Sequence, residues 1–80
     1  MTTRVTLDQL QLFLCVVEQG SFSAAGRKLG RAQSAVGTGI ANLEKSLGIG
    51  LFSRSGNERT LTETGRSLLP EIEKVFEQLG

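Results

Sequence analysis

The chain has 80 residues, 39% of them hydrophobic and 21% charged, and a net charge of +1. That excludes a disordered tail and leaves room for one small globular domain, with a core so small that partner contacts are expected to help hold it. One cysteine and no histidine exclude a disulfide framework and leave no nucleophile–base pair or metal-ligand set, so no enzyme, cofactor or metal is expected. No apolar run approaches the ~20 residues of a membrane span, and "MTTRVTLDQ" lacks the apolar stretch of a signal peptide. The expected location is the cytoplasm, without a membrane partner.

The first helix is expected over "TLDQLQLFLCVVEQG". Thr6 with Gln9 three residues on is a capping-box pattern, and Gly20 suits the stop. Leu7, Leu10, Phe13, Leu14 and Val17 form an i, i+3, i+4 stripe expected to face the core. Leu12 and Val16 then point outward, a pair four residues apart that is expected to meet a partner. Cys15 sits in the apolar run "LFLCVV" and reads as helix packing, not as a reactive thiol.

A short second helix is expected in "SFSAAGRKLG", with Ser21 or Ser23 as its cap, Ala25 and Leu29 facing inward and Gly30 at its end. After "RAQ" a third helix runs to about Leu47 and stops at Gly48. Two helices joined by a short glycine-containing turn make the helix-turn-helix outline. On a helical wheel Val36, Ile40, Leu43 and Leu47 share one side, while Ser34, Thr38, Ala41 and Lys45 lie opposite. That opposite side is small and polar near its start and basic farther along, the low profile a helix needs to enter a groove. Two glycines interrupt this helix, and each costs about 1 kcal/mol relative to alanine. Gly37 borders the low-profile side, where the backbone is able to approach a phosphate. Gly39 borders the core, where a neighbouring helix is able to close in. For both, tolerated drift is the bland alternative. "VGTGIAN" also contains G-x-G, but it sits mid-helix without a third glycine, so a dinucleotide loop is rejected.

"IGLFSRSGNERTLT" changes period, with apolar residues flanking a turn-rich centre, and predicts a two-stranded hairpin at about 51–54 and 58–61. A hairpin after a helix-turn-helix is a wing. Arg54 in it either faces a polyanion or pairs with Glu58 across the hairpin. The last helix starts near Thr62, with Glu63 favouring its positive end. Leu68, Ile72, Val75 and Leu79 recur at spacings of four, three and four, a short coiled-coil-like seam widened by Leu69 and Phe76. Pro70 removes one backbone bond there and predicts a kink. The segment 21–60 holds Arg27, Lys28, Arg31, Lys45, Arg54 and Arg59 against Glu44 and Glu58, whereas both ends are net acidic. A basic middle fits one face meant for a polyanion; an ordinary solvated surface gives the same count.

The motifs "GSFSAA", then "RAQSAV" and "NLEK" with "LG" and "LF" after them, then "LTETGR" and "LLP" together resemble the N-terminal DNA-binding domain of the LysR-type transcriptional regulators, over residues 7–79. The resemblance implies a mainly α fold: a winged helix-turn-helix of three helices and a two-stranded wing over 1–61, followed by a long dimerising linker helix over 62–80. It also implies a C-terminal effector-sensing domain beyond Gly80. Gln33 takes the place of the family's base-reading glutamine, with Ser34 where a proline is usual and Ala32 where a serine is. Gly37 stands for a serine that usually touches a phosphate, and Thr38 for a frequent arginine. Arg31 adds a basic residue where valine is common, and Arg54 and Arg59 match basic wing positions near the backbone or minor groove. The implied DNA-binding set is therefore Arg31, Gln33, Ser34, Gly37, Thr38, Arg54 and Arg59.

The expected function is sequence-specific binding of double-stranded DNA at a near-palindromic site, by a homodimer formed through the linker helix, with a higher oligomer left open for the full-length regulator. The dimer is expected to use Leu12 and Val16 with Leu68, Ile72, Val75, Phe76 and Leu79. A winged helix used for protein–protein contact is the alternative, and the basic middle argues against it.

Overall fold

A computed structural model describes residues 5–55 and 58–79, with only the backbone described at Arg54, Ser55 and Glu58. The elements run α1 (Leu7–Gln19), α2 (Phe22–Leu29), α3 (Gln33–Leu47), β1 (Phe52–Ser55), β2 (Glu58–Leu61) and α4 (Glu63–Leu79). The two strands pair antiparallel with Phe52 opposite Leu61, Ser53 opposite Thr60, Arg54 opposite Arg59 and Ser55 opposite Glu58. This is the expected mainly α, winged helix-turn-helix, with the long helix after the wing.

Local chemistry sets the helix starts. The Thr6 hydroxyl accepts from the Gln9 backbone N–H at 3.1 Å, while the Gln9 side chain accepts from the Thr6 N–H at 3.0 Å, so the capping box is closed. Ser21, not Ser23, caps α2 by accepting from the Ala24 N–H. Thr62 accepts from the Gly65 N–H at 3.0 Å and donates to the Gly50 carbonyl at 2.7 Å, joining the start of α4 to the approach of the wing. Gly30 ends α2 at φ 70°, a left-handed conformation that costs glycine no Cβ clash, and turns the chain toward α3. Helix α4 runs on through Pro70.

The core holds Leu12, Phe13, Cys15, Val16, Ala25, Val36, Ile40, Leu43, Leu51 and Ile72. Fully burying an aliphatic or aromatic side chain such as Phe13, Ile40, Leu43 or Leu51 contributes about 1.5–3 kcal/mol. The α3 stripe lies as expected, with Val36, Ile40 and Leu43 buried and Leu47 half-buried. The α1 stripe holds in part: Phe13 is buried and Leu10, Leu14 and Val17 pack against the core, but the rest of the helix departs from the expectation. Leu12 is 2% exposed and Val16 0%, whereas Leu7, expected inside, is 52% exposed. Leu12 and Val16 are therefore core residues and not an outward pair for a partner. The reason is tertiary: α1 touches α2, α3, α4 and β2. These elements cover more than one side of the helix and leave open only the side of Leu7, Gln11 and Glu18, so a one-face wheel misassigns Leu12 and Val16. Ile72, expected in the dimer seam, is also buried, at 3% exposure, because α4 lies back against α1.

Cys15 packs between α1 and α2, its thiol directed at the Ala25 carbonyl 3.9 Å away. Burial pushes that thiol upward in pKa, away from the thiolate form that reacts.

Two close approaches tighten this body. A Cβ at Gly39 would overlap the Leu12 Cδ1 methyl, and one at Gly65 would overlap the Leu51 carbonyl oxygen. Gly39 is thus the place where α1 and α3 close together. The start of the wing is held from α3. One carboxylate oxygen of Glu44 accepts from the Leu51 N–H at 2.6 Å and the Phe52 N–H at 3.3 Å. The Phe52 ring lies 5.4 Å from Phe13 and 6.2 Å, edge-on, from Phe22.

Candidate nucleic-acid interface

The open side of α3 begins at a bare helix end. Ala32 occupies the cap position with φ −65° and ψ 146°, and no side chain bonds there. The N–H groups of Ala35 and Val36 reach the Ala32 carbonyl, so the unfilled backbone donors are those of Gln33 and Ser34. The positive end of the helix dipole lies at this same end. Residues Gln33, Ser34, Ala35, Thr38, Ala41, Asn42 and Lys45 are exposed, and Gly37 is half-buried.

Gln33 does not stand alone. It lines a cleft of about 300 Å3 with Ser21, Phe22, Ser23 and Arg59. That cleft joins the start of α2, the start of α3 and the wing. The Arg59 guanidinium carbon sits 4.7 Å from the centre of the Phe22 ring, a cation–π stack that holds the charge near Gln33 instead of letting it sweep solvent. The Ser23 hydroxyl accepts from Arg27 at 3.0 Å. Beyond this cleft Phe22 runs beside Gly37, where an added Cβ would make ordinary contact at 3.5 Å. No close packing demands a glycine there.

Arg31 departs from expectation. Its two guanidinium nitrogens donate to the two carboxylate oxygens of Asp8, at 3.0 and 2.7 Å. Both side chains are partly exposed, 38% for Arg31 and 55% for Asp8. The hydrogen bond from Arg31 holds the Asp8 carboxyl below the usual carboxylate range, and Asp8 in turn raises Arg31. The charge expected to meet a phosphate is already met inside the chain. Arg54 is placed in β1 opposite Arg59, but its side chain, its pairing with Glu58 and the turn centre at Gly56 and Asn57 lie outside the described residues. Lys45 is exposed at the far end of α3.

Sequence reasoning missed Asp8, Phe22, Ser23 and Glu44 as parts of this region. The acid at position 8 had a visible signal, a lone arginine in the turn before α3, but their 23-residue separation hides the pairing. Phe22 read only as part of a short helix.

The model of the bacterial regulatory helix-turn-helix proteins of the lysR family matches residues 7–66. The chain belongs to the LysR family. Over 76 residues it is 52% identical to the HTH-type transcriptional regulator AceR of Acinetobacter baumannii, covering 95% of this chain and 26% of that protein. The chain thus spans about a quarter of the length of that curated relative. The fold is that of the family's solved DNA-binding domains. The crystal structure of the CbnR_DBD–DNA complex matches with a TM-score of 0.90 at 30% identity, over 95% of this chain and 87% of that one. The BenM_DBD complex with benA site 1 DNA matches with a TM-score of 0.89 at 33% identity, over 94% of this chain and 84% of that one. The named family relatives are transcriptional regulators, not enzymes. Among the described residues no helix is long and apolar enough to cross a membrane.

Proposed function

We propose that this chain is the DNA-binding domain of a cytoplasmic bacterial transcription regulator and binds double-stranded DNA sequence-specifically. Helix α3 enters the major groove and the wing meets the backbone or minor groove. The observation that carries this reading is the bare, small-residue start of α3 beside the stacked Arg59, in a chain whose family neighbours include DNA complexes. Gln33 stands at the entry, where its amide is suited to pair bidentately with adenine. Ser34 and Thr38 offer less discriminating hydroxyls. Gly37 lies within the helix, where its N–H belongs to the α3 ladder. Its contribution is a low profile, and the backbone donors open to a phosphate are those of Gln33 and Ser34. Arg59 and Arg54 supply phosphate or minor-groove contacts from the wing.

The working unit is a homodimer on a near-palindromic site, joined through α4. With Leu12, Val16 and Ile72 in the core, and Leu68 and Phe76 half-buried against it, the seam offered to a partner is Val75 and Leu79 with the open edges of Leu68 and Phe76; Leu79 is 63% exposed. Such a contact is isologous and sets two recognition helices on one side of the dimer for successive major grooves. Residues 62–80 then act as the linker and residues 1–61 as the DNA-reading part.

The test is duplex binding measured over a range of salt concentrations. Each phosphate contact contributes a slope of about −0.9 in log K against log salt, so a steep fall is expected. A flat plot overturns the reading and favours a protein-binding winged helix. Sedimentation of the chain and of Leu79→Asp at high concentration tests the dimer, with self-association lost in the variant.

A further inference from the structure

The Asp8–Arg31 pair is more than a surface ornament. The turn that carries Arg31 is already fixed without it: the Arg31 N–H donates to the Gly26 carbonyl at 2.8 Å, and a Cβ at Gly26 would meet the Arg31 oxygen at 2.6 Å. The side chains are therefore free to open without unravelling the turn. Partly exposed pairs of this kind are weak and cheap to exchange. Arg31 also stands two residues before Gln33, beside the bare end of α3. Its guanidinium meets Asp8 through a two-pronged fork, and the same fork fits a phosphate.

We propose that Asp8 is an internal stand-in for phosphate, holding Arg31 in the free protein and releasing it to a DNA backbone phosphate when α3 docks. This rests on the DNA-binding reading above. Asp8 then works against affinity: every docking event must first break its pair with Arg31. A backbone phosphate carries no sequence information, so this cost falls on every duplex that α3 docks against, and Asp8 sets the affinity of docking, not the choice of bases.

The experiment titrates a labelled random-sequence duplex with the chain and with Asp8→Asn, Arg31→Ala, the double variant and Glu18→Gln. Glu18 is an exposed acid at the other end of α1, so its neutralisation measures the general effect of removing one negative charge. Arg31→Ala is expected to flatten the log K against log salt slope by about 1. Asp8→Asn is expected to tighten binding by about 2- to 5-fold, the range an exposed pair allows, and by more than Glu18→Gln does. With Arg31 already replaced by alanine, Asp8→Asn should do no more than Glu18→Gln. An Asp8→Asn variant that binds more weakly, or no better than Glu18→Gln, overturns the exchange, as does an unchanged slope in Arg31→Ala. A parent chain that binds no duplex at low salt is a different failure: it removes the DNA-binding reading itself, and the exchange with it.

Discussion

The two sides of α3 obey different rules. Toward α1 the helix is built for contact: Val36, Ile40 and Leu43 are buried, and Gly39 gives way to Leu12. Toward solvent it is built to stay open. Its start has no side-chain cap, whereas α1, α2 and α4 begin on Thr6, Ser21 and Thr62 hydroxyls that each accept a backbone N–H. A side-chain cap is worth about 1 kcal/mol, so α3 forgoes stability that its neighbours take. The helix reserved for a partner is the one that leaves its end donors unfilled, and the stability it gives up is made good on its inner side.

Leu43→Ala breaks that inner side, and it carries the largest expected effect. Leu43 is 0% exposed, and truncating a buried leucine costs about 2–5 kcal/mol, a large part of the stability of so small a domain. Chemical denaturation should show a midpoint shifted far toward lower denaturant. A shift of under ~1 kcal/mol would mean that this side is not the core.

Gln33→Ala acts on the open side and should leave the denaturation midpoint within about 0.5 kcal/mol of the parent. Its expected loss is in discrimination, roughly 1–3 kcal/mol at one base position, read as a change in the consensus selected from random duplexes. An unchanged consensus would remove Gln33 as a base reader.

The two glycines sharpen the contrast at smaller scale, because their alanine variants are expected to move stability in opposite directions. At Gly37 an added methyl makes ordinary contact with Phe22, so Gly37→Ala should stabilise by up to about 1 kcal/mol through helix propensity alone. At Gly39 the methyl collides with the buried Leu12 side chain. Overpacking of about 1–3 kcal/mol exceeds the propensity gain, and Gly39→Ala should destabilise. Thermal melting of the two variants side by side decides it; equal shifts would erase the distinction between the two sides.

The smallest effect is expected from acid. The Asp8 carboxyl is held below its ordinary 3.8 by Arg31, so folding favours the ionised form. The stabilising contribution is complete above 3.8 and is lost as the pH falls through the lower, folded value. Arg31→Ala should therefore melt below the parent at neutral pH, with the difference closing in strong acid. A difference that stays constant down to the lowest pH would show that Arg31 stabilises the turn by some means other than Asp8.

Much of this molecule was legible before its structure. The capping box at Thr6 and Gln9, the stops at Gly20, Gly30 and Gly48 and the strands of the wing are local events, written within a few neighbouring residues. The buried stripe of α3 was legible because α3 packs on one side only. The corresponding reading of α1 failed in part, since the wheel shows which residues share a side but not how many sides are covered. Leu12 and Val16 looked outward for that reason, and Ile72 looked available although α4 folds back over α1. Of the proposed interface, Gln33 and the arginines were readable as residue types, but their surroundings were not.

Caps, turns and periodicity act over a few residues, so the elements to within a residue or so, the family and the low profile of α3 are written in the chain itself. Packing between elements set the rest: that Leu12 and Val16 of α1 are covered, that Phe22 stacks Arg59 beside Gln33, that Glu44 holds the wing and that Asp8 occupies Arg31. Each of these joins residues from separate elements. Such pairings follow from how whole elements pack in space, a property of the folded body that no short stretch of the chain contains.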